Sequence, residues 1–385
     1  MKKFFALFLV VVLGFCSFFL TGCKKKSEEI VIGMSGPLTG GAAVYGVAVM
    51  NSAQLAVDEI NEAGGVNGYK LRLEALDDKH DASLVSTNYA SLIEKGMQVS
   101  LGCVTTKPCL EFAKLSAEDS VFFLTPSATG DAVVEKDNAY QMCFADTRQG
   151  TAAAKYVNEN VDGSTKIGIL YRSGDEYSEG IYNNFVAELD SKFTKVVASF
   201  NEDTPADLGS QVELLKDCKF IFLPIYYTPA SIFMKQAVGK VANDAVYYGC
   251  DGLDGIDTGI EGFDINTIPQ EVSYLSHFNS KATDGAAKTF IDKYVAKYGA
   301  NTLNQFGASA YDCVYALASA LKKIAEKNPD AVTPDAKAAD LCKLLKAEFD
   351  GDFTFSGVTG TNVKWTKEGF VDKQAVKYVV KEKNK

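Results

Sequence analysis

Residues 30–76 read IVIGMSGPLTGGAAVYGVAVMNSAQLAVDEINEAGGVNGYKLRLEAL. Ile30–Met34 is a β-rich run that breaks at Ser35-Gly36-Pro37. Val47–Ala63 carries Val49, Ala53, Ala56, Val57 and Ile60 at helical spacing and stops at Gly64-Gly65. Lys70–Leu76 alternates as a strand does. Strand, helix and strand in this order form a right-handed βαβ unit with parallel strands. Outward from this stretch the theme repeats. A helix is predicted over Asp81–Lys95 with Asp81 as N-cap, and strands over Val99–Gly102 and Val121–Leu124 flank a helix at 107–117. Helices at 149–160, 178–192, 207–216 and 229–240 then alternate with strands at 166–171, 195–200, 220–224 and 246–248. The last third predicts helices at Gly285–Tyr298, Phe306–Lys327 and Asp335–Phe349, followed by strand-like Asn362–Trp365 and Ala375–Val379. So many strands exceed one comfortable sheet. The predicted fold class is α/β, with two doubly wound parallel-sheet lobes.

Composition agrees with a globular chain and excludes several functions. Of 385 residues, 47% are hydrophobic and 23% charged, which is ordinary for packed domains. Asp and Glu number 49 against 39 Lys and Arg, and an acidic surface repels phosphate backbones, so no nucleic-acid partner is expected. His80 and His277 are the only histidines, too few for a multi-histidine metal or catalytic centre. No Gly-x-Ser-x-Gly elbow, phosphate-binding Gly-x-x-x-x-Gly-Lys loop or His-Glu-x-x-His occurs. The chain is therefore not expected to be an enzyme, and neither metal nor cofactor is expected. Asp77-Asp78-Lys79-His80-Asp81 has metal-ligand residue types but reads better as a polar strand-to-helix loop.

The N-terminus reads as an address. Met1-Lys2-Lys3 precedes the apolar run Phe4–Leu20, short for a membrane span and typical of a secretory signal. Leu20-Thr21-Gly22-Cys23 resembles a bacterial lipobox, which implies cleavage before Cys23 and lipid attachment there; an uncleaved anchor helix is the alternative. Residues 1–22 are thus a signal peptide and 23–29 a lipidated tether, and the protein is expected outside the cytoplasm on a membrane surface. Removing residues 1–22, which hold Lys2 and Lys3 and no acid, takes the net charge from −10 to −12. Beyond Cys23 stand Cys103, Cys109, Cys143, Cys218, Cys250, Cys313 and Cys342, an odd set with no Cys-x-x-Cys spacing. Most are read as buried thiols, with one disulfide left open.

Ligands of open α/β sheets sit beyond the carboxyl ends of the strands. On the first half those ends offer Tyr45 before a helix, then Val104-Thr105-Thr106, then Ser127-Ala128-Thr129. Hydroxyls beside a helix N-terminus suit a carboxylate, although N-capping would use Thr105 and Thr106 equally well. The second half offers Tyr177, the pair Tyr226-Tyr227, and Asp251, the last between Gly249 and Gly252. A carboxylate there suits a cationic group, although an Asp-Gly turn would also explain it. An anion site facing a cation site describes a small zwitterion such as an α-amino acid.

These segments resemble the solute-binding proteins of branched-chain amino-acid ABC transporters, of the type I periplasmic-binding fold. The resemblance rests on residues 32–40, on Ala56-Val57-Asp58-Glu59-Ile60-Asn61 with Gly64-Gly65-Val66-Asn67-Gly68, on Leu76-Asp77-Asp78 and on residues 125–129, and it runs from about 30 to 380. It implies a three-crossover hinge near 147–150, 275–279 and 355–360, with 30–148 plus 277–356 as one lobe and 149–276 plus 357–385 as the other. It implies that Thr106, Thr129 and nearby backbone hold the ligand carboxylate. Ser127 backbone, Thr129 and Asp251 would hold the ammonium. Tyr177 and Tyr227 would close from the second lobe, with Tyr45, Phe306 and Val104 around the side chain. The best-studied branch has Glu at the Asp251 position and a first-lobe disulfide whose first cysteine is missing here. The implied partners are an amino acid, with leucine, isoleucine and valine leading, and a membrane permease. The chain itself is expected to be a monomer. A sensory ligand-binding subunit, or a carrier for another amino acid or an amide, are the alternatives.

Overall fold

The computed structural model describes residues 28–202, 205–258 and 260–383, so the predicted signal and the Cys23 lipid site lie outside the described residues. The first sheet holds β1 (Glu29–Gly36), β2 (Lys70–Asp77), β3 (Met97–Ser100), β4 (Phe123–Thr125) and β5 (Ala139–Gln141), in the order β2-β1-β3-β4-β5. Every pair in it is parallel. The second holds β6 (Lys166–Arg172), β7 (Thr194–Phe200), β8 (Phe220–Leu223), β9 (Val246–Gly249), β10 (Glu271–Ser276) and β11 (Val376–Lys381), in the order β11-β10-β9-β8-β6-β7. Only β11 runs antiparallel to its neighbour. The α/β class with two parallel-sheet lobes is therefore observed. Strands β5 and β10 were not predicted.

The helices of the first lobe are α1 (Ala43–Glu62), α2 (Ala82–Glu94) and α3 (Thr106–Asp119). Those of the second are α4 (Asp146–Asn160), α5 (Glu176–Glu188), α6 (Gly209–Leu215) and α7 (Tyr227–Ala237). The chain then returns to the first lobe with α8 (Gly285–Tyr298), α9 (Gln305–Lys327) and α10 (Ala338–Phe349). Asp81 caps α2 as predicted, its carboxylate accepting from the Ser83 N–H at 2.9 Å. Helix α9 lies directly against α1 because residue 307 is glycine: a Cβ there would stand 3.1 Å from the Ala48 carbonyl oxygen. That close approach brings Phe306 beside Tyr45, ring centroids 5.1 Å apart.

Residues 147–150, expected near the first crossover, lie inside α4, where the Thr147 N–H still donates to Asp131 of the first lobe at 3.1 Å. The third is not at 355–360, so the lobe boundary expected at 356/357 also moves. Residues 355–371 stay with the first lobe. The Trp365 Nε1–H donates to the Gln141 carbonyl at 2.7 Å, its ring packs on Phe349 at 4.6 Å, and the Gln141 N–H donates to the Gly369 carbonyl at 2.9 Å. Only isolated bridges, Phe355 with Val363 and Trp365 with Val371, occur where a strand was predicted at 362–365. The chain passes to the second lobe between Val371 and β11. An alternating apolar pattern marks burial, and here the buried partner is the end of α10 rather than a neighbouring strand.

All seven described cysteines are free and buried, so the disulfide left open by the sequence is not formed among them. Among the described residues no helix is long and apolar enough to cross a membrane.

Candidate functional site

Both sheets direct their carboxyl ends at one interlobe space. From the first lobe, Tyr45 sits in the first turn of α1. Val104 and Thr105 form the link from β3 to α3, and Thr106 opens that helix. Thr105 takes the N-cap position with φ −106° and ψ 150°, but its side chain makes no cap hydrogen bond. Its Oγ1 instead lies 2.8 Å from His80 Nδ1. Thr106 Oγ1 accepts from the Gly130 N–H at 3.2 Å. N-capping is thus not what holds these hydroxyls. After β4, Thr125 Oγ1 accepts from the Ser127 and Ala128 N–H groups at 3.3 and 3.1 Å and donates to the Cys103 carbonyl at 3.0 Å. That network pins the two turns that carry Thr105, Ser127 and Thr129 to each other.

From the second lobe, Asp175 caps α5, accepting from the Ser178 N–H at 3.0 Å, which sets Tyr177 in the first turn. Asp251 follows β9 at the start of a short 3₁₀ turn. Its N–H donates to Gln149 Oε1 at 3.0 Å and its Oδ1 accepts from the Tyr177 hydroxyl at 2.8 Å. Its Oδ2 is buried with no hydrogen-bond partner. Burial pushes the Asp251 carboxyl up to about 7, against the hydrogen bonds from Tyr177 and Gln149 that favour its ionised form. Asp254, bonded to the Gln305 N–H at 2.8 Å and the Tyr274 hydroxyl at 2.9 Å, is likewise pushed up to about 7 by burial. Asp146, at the first crossover, is driven well above the carboxylate range by burial and then by the Asp251 charge.

Tyr45, Val104, Thr105, Thr106, Ser127, Thr129, Tyr177, Asp251 and Phe306 line one small cavity. Two predicted residues do not. Ala128 lies behind the wall, its carbonyl accepting from Gln141 Nε2 at 2.9 Å. Tyr227 packs edge-on to Tyr45 from outside, with ring centroids 5.3 Å apart. Its neighbour Tyr226 takes the lining position, together with Gly252. Tyr226 is the last residue before α7; the strand-end rule reaches both tyrosines, and the family resemblance singled out Tyr227. Gly252 had no signal of its own. Its N–H donates to the Tyr177 hydroxyl at 2.9 Å, and a Cβ there would lie 2.5 Å from that oxygen.

The lobes are closed on each other. The Tyr45 hydroxyl donates across the cleft to the Gly252 carbonyl and accepts from the Tyr227 N–H at 3.1 Å. The inner cavity is about 10 Å³, room for about one water. The Asp77–Asp81 loop has no metal geometry. Asp77 Oδ1 accepts from the Leu38 and Lys79 N–H groups at 2.8 and 2.9 Å, and Asp78 accepts from the Ser35 hydroxyl and the His80 N–H at 3.0 and 2.9 Å. No cluster of metal-ligating side chains occurs among the described residues. The arrangement offers an uncompensated carboxylate oxygen facing hydroxyls and a helix N-terminus. This is complementary to a small molecule with one positive and one negative end.

The chain is similar to known proteins in sequence and in fold. A family model described as periplasmic binding protein matches residues 29–381. A Leu/Ile/Val-binding protein of Rhizobium johnstonii is 30% identical over 241 residues, 61% of this chain, and the match spans 65% of that relative, just under two thirds. A leucine-, isoleucine-, valine-, threonine- and alanine-binding protein of Pseudomonas aeruginosa is 25% identical over 341 residues, 86% of each chain. A leucine-binding protein of Thermotoga maritima shares the fold with a TM-score of 0.78 at 22% identity, over 92% of this chain and 96% of that one.

Proposed function

The chain belongs to the periplasmic binding protein family, an extracytoplasmic solute-binding family, and on that premise we propose that it captures an amino acid, branched-chain or otherwise hydrophobic, between its lobes and delivers it to an ABC permease. The observation that carries this reading is Asp251 Oδ2, buried and unpartnered at the wall opposite Thr105, Thr106, Ser127 and Thr129. A buried charge persists only when paired, and an α-ammonium supplies the missing partner. The α-carboxylate then meets the hydroxyls and the first-turn amides of α3. The relatives that bind leucine, isoleucine and valine support the ligand class.

Closure supplies the affinity. The ligand enters with the lobes apart, because the closed cavity admits about one water. Rotation about the three crossovers brings Asp251, Tyr177 and Gly252 over it and expels water, which strengthens each paired charge. The closed form is what the permease recognises. The protein acts as a monomer, without turnover of its ligand, and lipid on Cys23 holds it at the membrane.

Differential scanning fluorimetry against the twenty common amino acids tests the binding role. A stabilising shift with hydrophobic members is expected, and no shift with any of them overturns it. Cys23→Ser tests the anchor: the variant should leave the membrane fraction, and its retention there overturns lipid attachment at that residue.

A further inference from the structure

Two of the three crossovers come down on one stripe of α9. Gln305, Ser309 and Asp312 are spaced i, i+4 and i+7, so they share a face of that helix. His277, just after β10, takes the first two: its N–H donates to Gln305 Oε1 at 3.3 Å, and its Nε2 lies 2.6 Å from the Ser309 hydroxyl. Asp312 takes the returning segment. Its carboxylate accepts from the Val358 and Thr359 N–H groups at 2.8 Å each and from the Thr359 hydroxyl. The segment wraps this closely because residue 357 is glycine, where a Cβ would collide with Asp312 Oδ1. Lys373, in the third crossover itself, donates from Nζ to the same Thr359 hydroxyl. Lys373, Thr359 and Asp312 thus form one buried chain from the crossover to the helix. Burial draws both charged groups toward their neutral forms, and the charge of each opposes that for the other.

None of the three lines the ligand cavity. Any effect they have on binding must pass through the relative position of the lobes. A contact shifts a hinge only when it differs between the open and closed forms. Thr359 is tied to α9 through its own N–H and hydroxyl, both on Asp312, so it stays with the first lobe as the lobes part. Lys373 belongs to the segment that must turn, and its bond to Thr359 is the link on which opening pulls. We propose that Lys373 is a positioning residue for lobe closure: seated on Thr359 and Asp312, its ammonium anchors the third crossover in the closed geometry and favours the closed form. The proposal rests on the binding role above.

Titration calorimetry with leucine, and small-angle scattering without ligand, test it on wild type, Lys373→Met, Thr359→Val and Thr359→Ser. Lys373→Met keeps the length of the side chain and removes its charge. Thr359→Val keeps the size and removes the hydroxyl, which Thr359→Ser retains. The leucine dissociation constant is expected to rise about tenfold in Lys373→Met and Thr359→Val, and the ligand-free radius of gyration to grow. Thr359→Ser should stay near wild type. The ratio of leucine to valine affinity should hold in every variant, because the cavity wall is untouched. Should Lys373→Met fail to melt cooperatively, Lys373→Gln replaces it. Folded Lys373 and Thr359→Val variants that bind leucine as tightly as wild type overturn the anchor and leave the binding role intact. A changed leucine-to-valine ratio, or Thr359→Ser weakened as much as Thr359→Val, also overturns it. A folded wild type that binds no common amino acid overturns the amino-acid role. The radius then decides the anchor, which falls if Lys373→Met and Thr359→Val are no larger than wild type.

Discussion

The Tyr177 hydroxyl donates to one oxygen of Asp251 at 2.8 Å, while the other oxygen of the same carboxylate is buried without a hydrogen-bond partner. The half-satisfied carboxylate is oriented by its own lobe, and in the proposed function the ligand ammonium completes it. Asp251→Asn keeps the shape and removes the charge. Ligand affinity should fall by about 2–5 kcal/mol, the cost of leaving one member of a buried charge pair alone. Calorimetry checks this, and an unchanged dissociation constant refutes the ammonium site.

Binding should also depend on pH. Asp251 has a carboxyl pushed up to about 7 by burial and must be ionised to pair with an ammonium. Affinity is therefore expected to fall by about tenfold per pH unit below about pH 7. The dependence should vanish in Asp251→Asn.

The ligand-free protein should show the opposite trend in stability. An acid with a folded pKa above its unfolded value binds more protons folded than unfolded, here between about pH 4 and 7. Asp251 and Asp254 thus each lower stability as pH rises through that window. The melting temperature of wild type minus that of Asp251→Asn should drop from pH 5 to pH 7. A flat difference would show that Asp251 is not proton-linked to folding.

Tyr45→Phe removes the hydroxyl that bridges the Gly252 carbonyl and the Tyr227 N–H across the cleft. The loss should weaken closure by about 1–2 kcal/mol. Small-angle scattering should show a larger ligand-free radius of gyration, and the dissociation constant should rise. A change in neither would mean that the bridge does not hold the lobes together.

Trp365 joins the returning segment to the first lobe through Phe349, Phe353 and the Gln141 carbonyl. Trp365→Ala should cost about 3–5 kcal/mol in urea unfolding. The order of ligand preference should stay unchanged, because the residue lies away from the cleft.

Much of this protein is legible in its amino-acid order. Strands alternating with helices of matching length force parallel sheets, and Asp81 shows its capping role by type and place. Most candidate site residues could be picked because parallel sheets expose their strand ends together, Phe306 came only from the family resemblance, and nine of the eleven line one cavity. Three matters needed the tertiary structure. Tyr226 rather than Tyr227 lines the interlobe cavity, because the turn from β8 into α7 decides which of two adjacent identical side chains points inward. Residues 355–371 stay on the first lobe, because an apolar alternation reports that a face is buried and not what buries it. The unpartnered oxygen of Asp251 and the bridge made by Tyr45 exist only where residues far apart in the chain meet. Local periodicity is a property of neighbours in sequence and determines the elements. Burial, charge compensation and closure are properties of neighbours in space, and those neighbours come together only when both lobes are folded.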